Sequence, residues 1–310
     1  MHLKELRYII TIAEEQSISR AADKLFMAQS SLSQFLQLYE TELGTALFFR
    51  TAQGVRLTEA GKVFVEAARR MMKDYHGMRN HLWDMEILQA GRITMGISSF
   101  RGSYLLPPVL KKFYEWYPNI RVDIIEANSM ALEERLLEGT LDLALVVLPV
   151  TRLKHDTQFL RKDEVILVAK RDHPVTSLLH SKADYPYYWI DLKDTAPFEF
   201  ILSDYDTILG KVAREEFKAA GIEPIAENTN ITAAFAAAMA RAGLGLAFTY
   251  SSCAEPHPDT VYFSVGPEGI FLDLALVYPP SGYRSKAALA LGDALHHYAS
   301  TVNKQDISLI

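Results

Sequence analysis

The sequence predicts a chain of three unlike parts: a mainly α winged helix-turn-helix head, a long linker helix, and an α/β domain of two lobes. Three observations predict it. The first 58 residues carry three short helical repeats and then a glycine-tipped hairpin signal. Residues 64–85 hold an unbroken heptad seam, and from Arg92 the texture alternates between strand and helix. The expected divisions are 1–58, 59–90 and 91–310, with lobe I at about 91–162 and 268–302 and lobe II at about 163–267.

In the head, Leu3, Leu6, Ile9, Ile10 and Ala13 recur at helical spacing. A polar break at Gln16-Ser17 follows, and Ser19 reads as the N-cap of a second helix carrying Ala21, Ala22 and Leu25. A third helix is expected from Gln29 to Leu43, with Leu32, Leu36 and Tyr39 or Leu43 turned inward and Gly44 as its stop. The two alanines allow the close crossing that a helix-turn-helix needs. Leu47–Arg50 and Val55–Thr58 flank Thr51–Gly54 as a hairpin. Helices and hairpin together read as a winged DNA-binding module.

The residues in this stretch carry a resemblance. Ala13-Glu14-Glu15-Gln16-Ser17-Ile18-Ser19-Arg20-Ala21-Ala22, Gln29-Ser30-Ser31-Leu32-Ser33, Glu42-Leu43-Gly44, Leu47-Phe48-Phe49-Arg50 and Val55-Arg56-Leu57-Thr58-Glu59-Ala60-Gly61 follow one another in the order and spacing of a known signature. The head resembles that of LysR-type transcriptional regulators over about sixty residues. The resemblance implies operator DNA as a partner, homodimers and homotetramers, a small-molecule effector and, for an activator, contact with RNA polymerase. Two departures stand out: Ala28 replaces a hydroxyl N-cap, and Gln34 and Gln37 stand where relatives carry cations.

Residues 1–65 hold seven cationic and seven acidic side chains, so the head is neutral and the net charge of −6 lies in the rest of the chain. Between Gln29 and Phe49 there is no Lys or Arg. Base edges are therefore expected to meet Gln29, Ser30, Ser33, Gln34 and Gln37, and glutamine suits the N6/N7 edge of adenine. An A·T-rich site follows as an expectation. Phosphate contacts are expected from Arg20, Lys24, Arg50, Arg56 and Lys62.

Thr58 is a natural N-cap for the linker. Phe64, Ala68, Met71, Tyr75, Met78, Leu82 and Met85 step by four and three, an a/d seam flanked by charge, which predicts dimerisation along this helix.

In the α/β part, Ile93–Ile97, Ile120–Ala127 and Leu141–Leu148 read as strands, with helices over Gly102–Tyr117 and Met130–Glu138. A second unit runs from about Asp163 through Phe217 and Thr229–Met239 to Leu244–Phe248. Phe271–Tyr278 and a helix from Arg284 to Ser300 return to the first. A mainly parallel sheet and a periplasmic-binding-protein-like, effector-binding pair of lobes are expected. Ligands in such folds sit beyond strand C-termini near helix N-termini. That places an effector site at Ser98, Ser99, Phe100 and Arg101, at Asn128 and Ser129, at Val147, at Ile201 and Ser203, at Thr229 and Thr232, and at Phe248. Hydroxyl and amide groups with Arg101 as a bidentate clamp suggest a small anionic metabolite, a carboxylate above all.

With 49% hydrophobic and 23% charged residues the composition is that of a globular protein. No apolar stretch approaches the roughly eighteen residues of a membrane span, and the charged opening Met1–Arg7 lacks the core of a secretion signal. The single Cys253 excludes an internal disulfide and fits a reducing cytoplasm. No GxSxG, HExxH, phosphate-loop or paired-cysteine motif is present, so no enzymatic activity, metal or cofactor is expected. The alternative is a two-lobe binding or redox-sensing protein, acting through Cys253 without classical inducer control.

Overall fold

The computed structural model describes residues 2–51, 54–85, 91–150, 153, 157–181, 188–255, 257–280 and 283–302. They form two compact units, the head with its linker helix and the α/β domain.

The head runs α1 (Leu3–Glu15), α2 (Ile18–Lys24), α3 (Gln29–Leu43), a hairpin of β1 (Phe48–Thr51) and β2 (Gly54–Leu57), then α4 (Glu59–Met85). Gly44 ends α3 in the left-handed region, and Ala28 at its start offers no side-chain acceptor. Ser17, not Ser19, caps α2, its hydroxyl accepting from the Arg20 N–H at 3.4 Å. The chain re-enters helix straight after the left-handed Gln16, which places Ser19 inside the first turn. Leu43 is 40% exposed, so Tyr39 is the third inward residue of α3. It joins Ile9, Ile12, Ala21, Ala22, Leu32, Leu36, Leu47 and Val55 in one core. Glu40 ties α3 to the wing, Oε1 accepting the N–H groups of Leu47 and Phe48 at 2.6 and 2.9 Å. The Val55 N–H donates to the Gln16 carbonyl, and a Cβ on Gly54 would stand 2.2 Å from that oxygen. The hairpin-tip residues Ala52 and Gln53 lie outside the described residues.

Thr58 caps α4, its hydroxyl accepting from the Gly61 N–H at 2.9 Å. The expected dimer seam splits. Ala68 is buried, and Phe64 packs on Tyr39 with ring centroids 5.8 Å apart, so Phe64 belongs to the head's own packing. Met71, Met78 and Leu82 are 45–54% exposed and Tyr75 is half-buried. The Met85 side chain and the expected extension to residue 90 lie outside the described residues.

The α/β domain runs β3 (Gly91–Ile97), α5 (Ser99–Trp116), β4 (Ile120–Glu126), α6 (Ser129–Leu137), β5 (Leu143–Val147) and β6 (Thr157–Lys170). It continues with β7 (Tyr188–Ile190), β8 (Glu199–Ser203), α7 (Ile208–Ala220), β9 (Ile225–Ile231) and α8 (Ala233–Arg241). Then come β10 (Ala247–Tyr250), β11 (Thr260–Val265), β12 (Ile270–Val277) and α9 (Lys286–Val302). The main sheet has the order β4-β3-β5-β12-β6-β11-β7, with β10 also on β6, and β8–β9 form a separate parallel pair.

Two apolar cores define the lobes. One gathers Ile93, Met95, Phe113, Leu143, Leu145, Leu276 and Leu291, the other Val165–Ala169, Phe200, Phe217, Ala237, Phe248 and Phe263. The sheet is mixed, not mainly parallel: β12 and β6 pair antiparallel with each other, as do β5 with β12 and β10 and β11 with β6. The cause is the crossing itself. A 14-residue β6 serves lobe I with its first half and lobe II with its second. The lobe boundary expected at 162/163 therefore falls inside a shared strand.

Candidate functional site

On α3, Gln29, Ser30, Gln34 and Gln37 are exposed and Ser33 is half-buried, while Leu32, Leu36 and Tyr39 fill the opposite side. Arg50 stands opposite Val55 and Arg56 opposite Phe49 in the hairpin register, so the two exposed arginines leave different faces of the wing. Arg20 and Lys24 are exposed but engaged. The Lys24 ammonium lies 2.7 Å from Glu15 and 3.5 Å from Glu14, and Arg20 reaches both the carbonyl and the carboxylate of Glu15. Their hydrogen bond raises the Lys24 pKa and lowers that of Glu15. Phosphates approaching this corner compete with a carboxylate. Glu15→Gln is therefore expected to tighten DNA binding several-fold and to steepen the log–log salt dependence by about one unit per cation freed, read by anisotropy from low to high salt.

In the α/β domain a cleft of about 470 Å³ opens where β3, β4, β5, β8 and β9 end and α5, α6, α7 and α8 begin. Ser98, Ser99, Phe100, Arg101, Asn128, Ser129, Val147 and Thr232 line it, as expected from the sequence. Four expected residues do not. Ile201 and Phe248 are buried in the lobe II core, Ser203 is buried beside Thr207 Oγ1 at 3.4 Å, and the Thr229 carbonyl accepts from Arg214. Asn230 and Ile231, which fall between the expected Thr229 and Thr232, do line the cleft, while Asp204, one residue past the end of β8, and Tyr250, the last residue of β10, take the places expected for Ser203 and Phe248.

Asn128 Oδ1 caps α6, Thr207 Oγ1 caps α7 and Thr232 Oγ1 caps α8. Ser98 makes no such bond, which leaves the first-turn N–H groups of α5 without a side-chain cap. Ser99 donates to Glu126 Oε2 at 2.6 Å. Arg101 is 4% exposed: Nε donates to Asp163 Oδ2 at 3.1 Å, the guanidinium lies 3.6 Å from the Tyr250 ring centroid, and Nη2 is buried with no protein partner. Asp163 also accepts from Ser251 Oγ, Ser252 N and Ser252 Oγ. The expected bidentate clamp is thus half spent inside the protein, with one amino group left over.

Cys253 is 1% exposed, and burial pushes its thiol up to about 12. Burial thus keeps the thiol in its unreactive protonated form and out of reach of oxidants, so nothing at this residue favours the redox alternative.

Residues 3–62 match the profile described as "Bacterial regulatory helix-turn-helix protein, lysR family", and residues 87–300 match "LysR substrate binding domain". The chain belongs to the LysR family. A "Probable RuBisCO transcriptional regulator" of Trieres chinensis is 30% identical over 295 residues, covering 92% of this chain and 93% of that protein. The "Uncharacterized HTH-type transcriptional regulator YcgK" of Bacillus subtilis (strain 168) is 31% identical over 172 residues, 56% of this chain and 53% of that protein. Full-length CbnR complexed with its target DNA shares the fold, with a TM-score of 0.62 at 20% identity over 96% of this chain and 100% of that one. As a LysR-type regulator the protein joins a DNA-binding helix-turn-helix head to a substrate-binding domain. Among the described residues no helix is long and apolar enough to cross a membrane.

Proposed function

We propose that this cytoplasmic LysR-type regulator reads A·T-rich operator steps with Gln29, Ser30, Ser33, Gln34 and Gln37, and senses a small carboxylate in the cleft of its α/β domain. The observation that carries the sensing role is Arg101 Nη2, a charged donor buried without a partner among the cleft-lining residues. A buried donor of this kind costs free energy until an acceptor reaches it. The uncapped first turn of α5 adds N–H groups that favour the same negative end.

On the DNA side, a neutral recognition helix leaves backbone attraction to Arg50, Arg56 and the contested Arg20 and Lys24, so one head binds weakly. The exposed Met71, Met78 and Leu82 suit pairing of two linker helices, which doubles the contacts, and homotetramers follow from the family's habit of assembly. The effector acts through its differential affinity for two arrangements of the assembly.

The test begins by selecting binding sequences from a random DNA pool with the full-length protein. The selected DNA is then titrated with and without small aliphatic and aromatic monocarboxylates. A·T-rich consensus steps are expected, and at least one carboxylate should change DNA affinity by about fivefold or more, an effect that Ser99→Ala weakens. A consensus of G·C pairs alone sinks the glutamine assignment, and indifference to every carboxylate sinks the sensing role.

A further inference from the structure

The cleft's charges say more about its ligand than its size does. Its described lining carries three charged side chains, Arg101, Glu126 and Asp204. The positive charge of Arg101 is already matched by the buried Asp163 at 3.1 Å, whose other contacts are hydrogen bonds from serines 251 and 252. What remains uncompensated is negative. Ser99 occupies one oxygen of the exposed Glu126, and the N–H of Asp206 occupies one oxygen of Asp204. A polyanion such as a phosphate ester would face two carboxylates with no spare cation, and like charges in a partly enclosed site repel strongly. A neutral apolar molecule would leave Arg101 Nη2 unsatisfied and shield Glu126 from water without pairing it.

Both polar ends are met by one kind of molecule. We infer that the ligand is amphoteric: a single carboxylate taken by Arg101 Nη2 and the open first turn of α5, an ammonium group taken by Glu126, and a small apolar body between them. Free amino acids with apolar side chains are the simplest members of that class. The groups sit suitably apart. Arg101 and Ser99, which holds Glu126, are two positions apart on α5, so they leave different sides of its first turn. Leu145, Val147, Ile208, Leu209 and Ile231 supply the apolar walls. Bringing an amine removes the penalty that an unaccompanied carboxylate meets from Glu126 and Asp204.

This inference rests on the sensing role proposed above, and the two fail differently. Full-length protein is titrated by calorimetry with L-valine, L-leucine and L-phenylalanine. Each is compared with its deaminated carboxylic acid and its decarboxylated amine. At least one amino acid is expected to bind tenfold or more tighter than both of its counterparts. Glu126→Gln should erase that gap, weakening the amino acid and, because a repelling carboxylate is gone, tightening its carboxylic acid. Glu126 is exposed, and its only partner seen is Ser99 Oγ, so the variant should fold. Carboxylic acids binding as tightly as the amino acids overturn the amphoteric class and leave carboxylate sensing standing. Binding by none of the nine compounds at millimolar concentration removes both.

Discussion

Asp163→Ala is expected to destabilise the α/β domain by about 3–5 kcal/mol, the range seen when one partner of a buried ion pair is removed. Asp163 is fully buried in the middle of β6 and accepts four hydrogen bonds, one of them from Arg101. Taking the carboxylate away strands a guanidinium that is itself 4% exposed and already has one amino group without a partner. Among the described residues what chiefly remains to it is Tyr250, whose ring centroid lies 3.6 Å away, a contact worth about 2 kcal/mol when desolvated. The Ser251 and Ser252 donors lose their acceptor as well, and the short turn after β10 that carries them loosens from β6. Urea unfolding of the full chain measures the loss. The double variant Arg101→Met, Asp163→Leu removes both charges and should regain more than half of it, because well-packed apolar replacements avoid the cost of desolvating ions. If the double variant is no better than Asp163→Ala, the serine hydrogen bonds, and not the charge pair, hold this corner.

Asp163 also marks where the sequence stopped being informative. The head was legible almost to the residue, because caps, left-handed stops and helical spacing are local signals. Gln29, Leu43 and Gly44 announce their own roles. Ser19 misled because two serines stand two residues apart, and only the left-handed turn at Gln16 decides between them. The linker seam was visible as a pattern, but a heptad does not say which partner covers each position, and Tyr39 of the head's own core took Phe64. In lobe I the strand ends coincide with changes of composition, so Ser98, Ser99, Asn128 and Ser129 were found. In lobe II strand length is set by pairing over long separations, such as Phe248 with Leu167, and propensity is a poor guide there. Composition therefore points to Ser203 where Asp204 lines the cleft, and to Phe248 where Tyr250 does. Glu126 and Asp163 read as ordinary strand acids. Only the fold brings the first to Ser99 and the second to Arg101.

Gly61→Ala should cost the head about 3 kcal/mol, the upper end of ordinary overpacking, although alanine is by far the better helix former. Inside an exposed helix the same exchange gains about 1 kcal/mol. At Gly61 a Cβ would stand 2.0 Å from the Leu47 carbonyl oxygen and 2.9 Å from its carbon. That carbonyl cannot easily retreat: it accepts the Thr58 N–H at 2.9 Å and the Thr58 hydroxyl at 3.3 Å, and its peptide leads into the Phe48 N–H held by Glu40. Relief must come from pushing α4 away from the entry to the wing, which uncaps α4 and moves the arginine-bearing hairpin. Operator binding should fall with stability, while ligand binding in the α/β domain stays. Gly77 supplies the control within the same helix, since a Cβ there meets nothing within 4 Å. Gly77→Ala should raise the melting temperature slightly and leave DNA affinity unchanged. Melting curves and anisotropy on full-length variants separate the two positions. Equal, small stabilisation at both would mean that α4 does not press on the Leu47 carbonyl, and the glycine in Glu59-Ala60-Gly61 would then have no steric reason to be there.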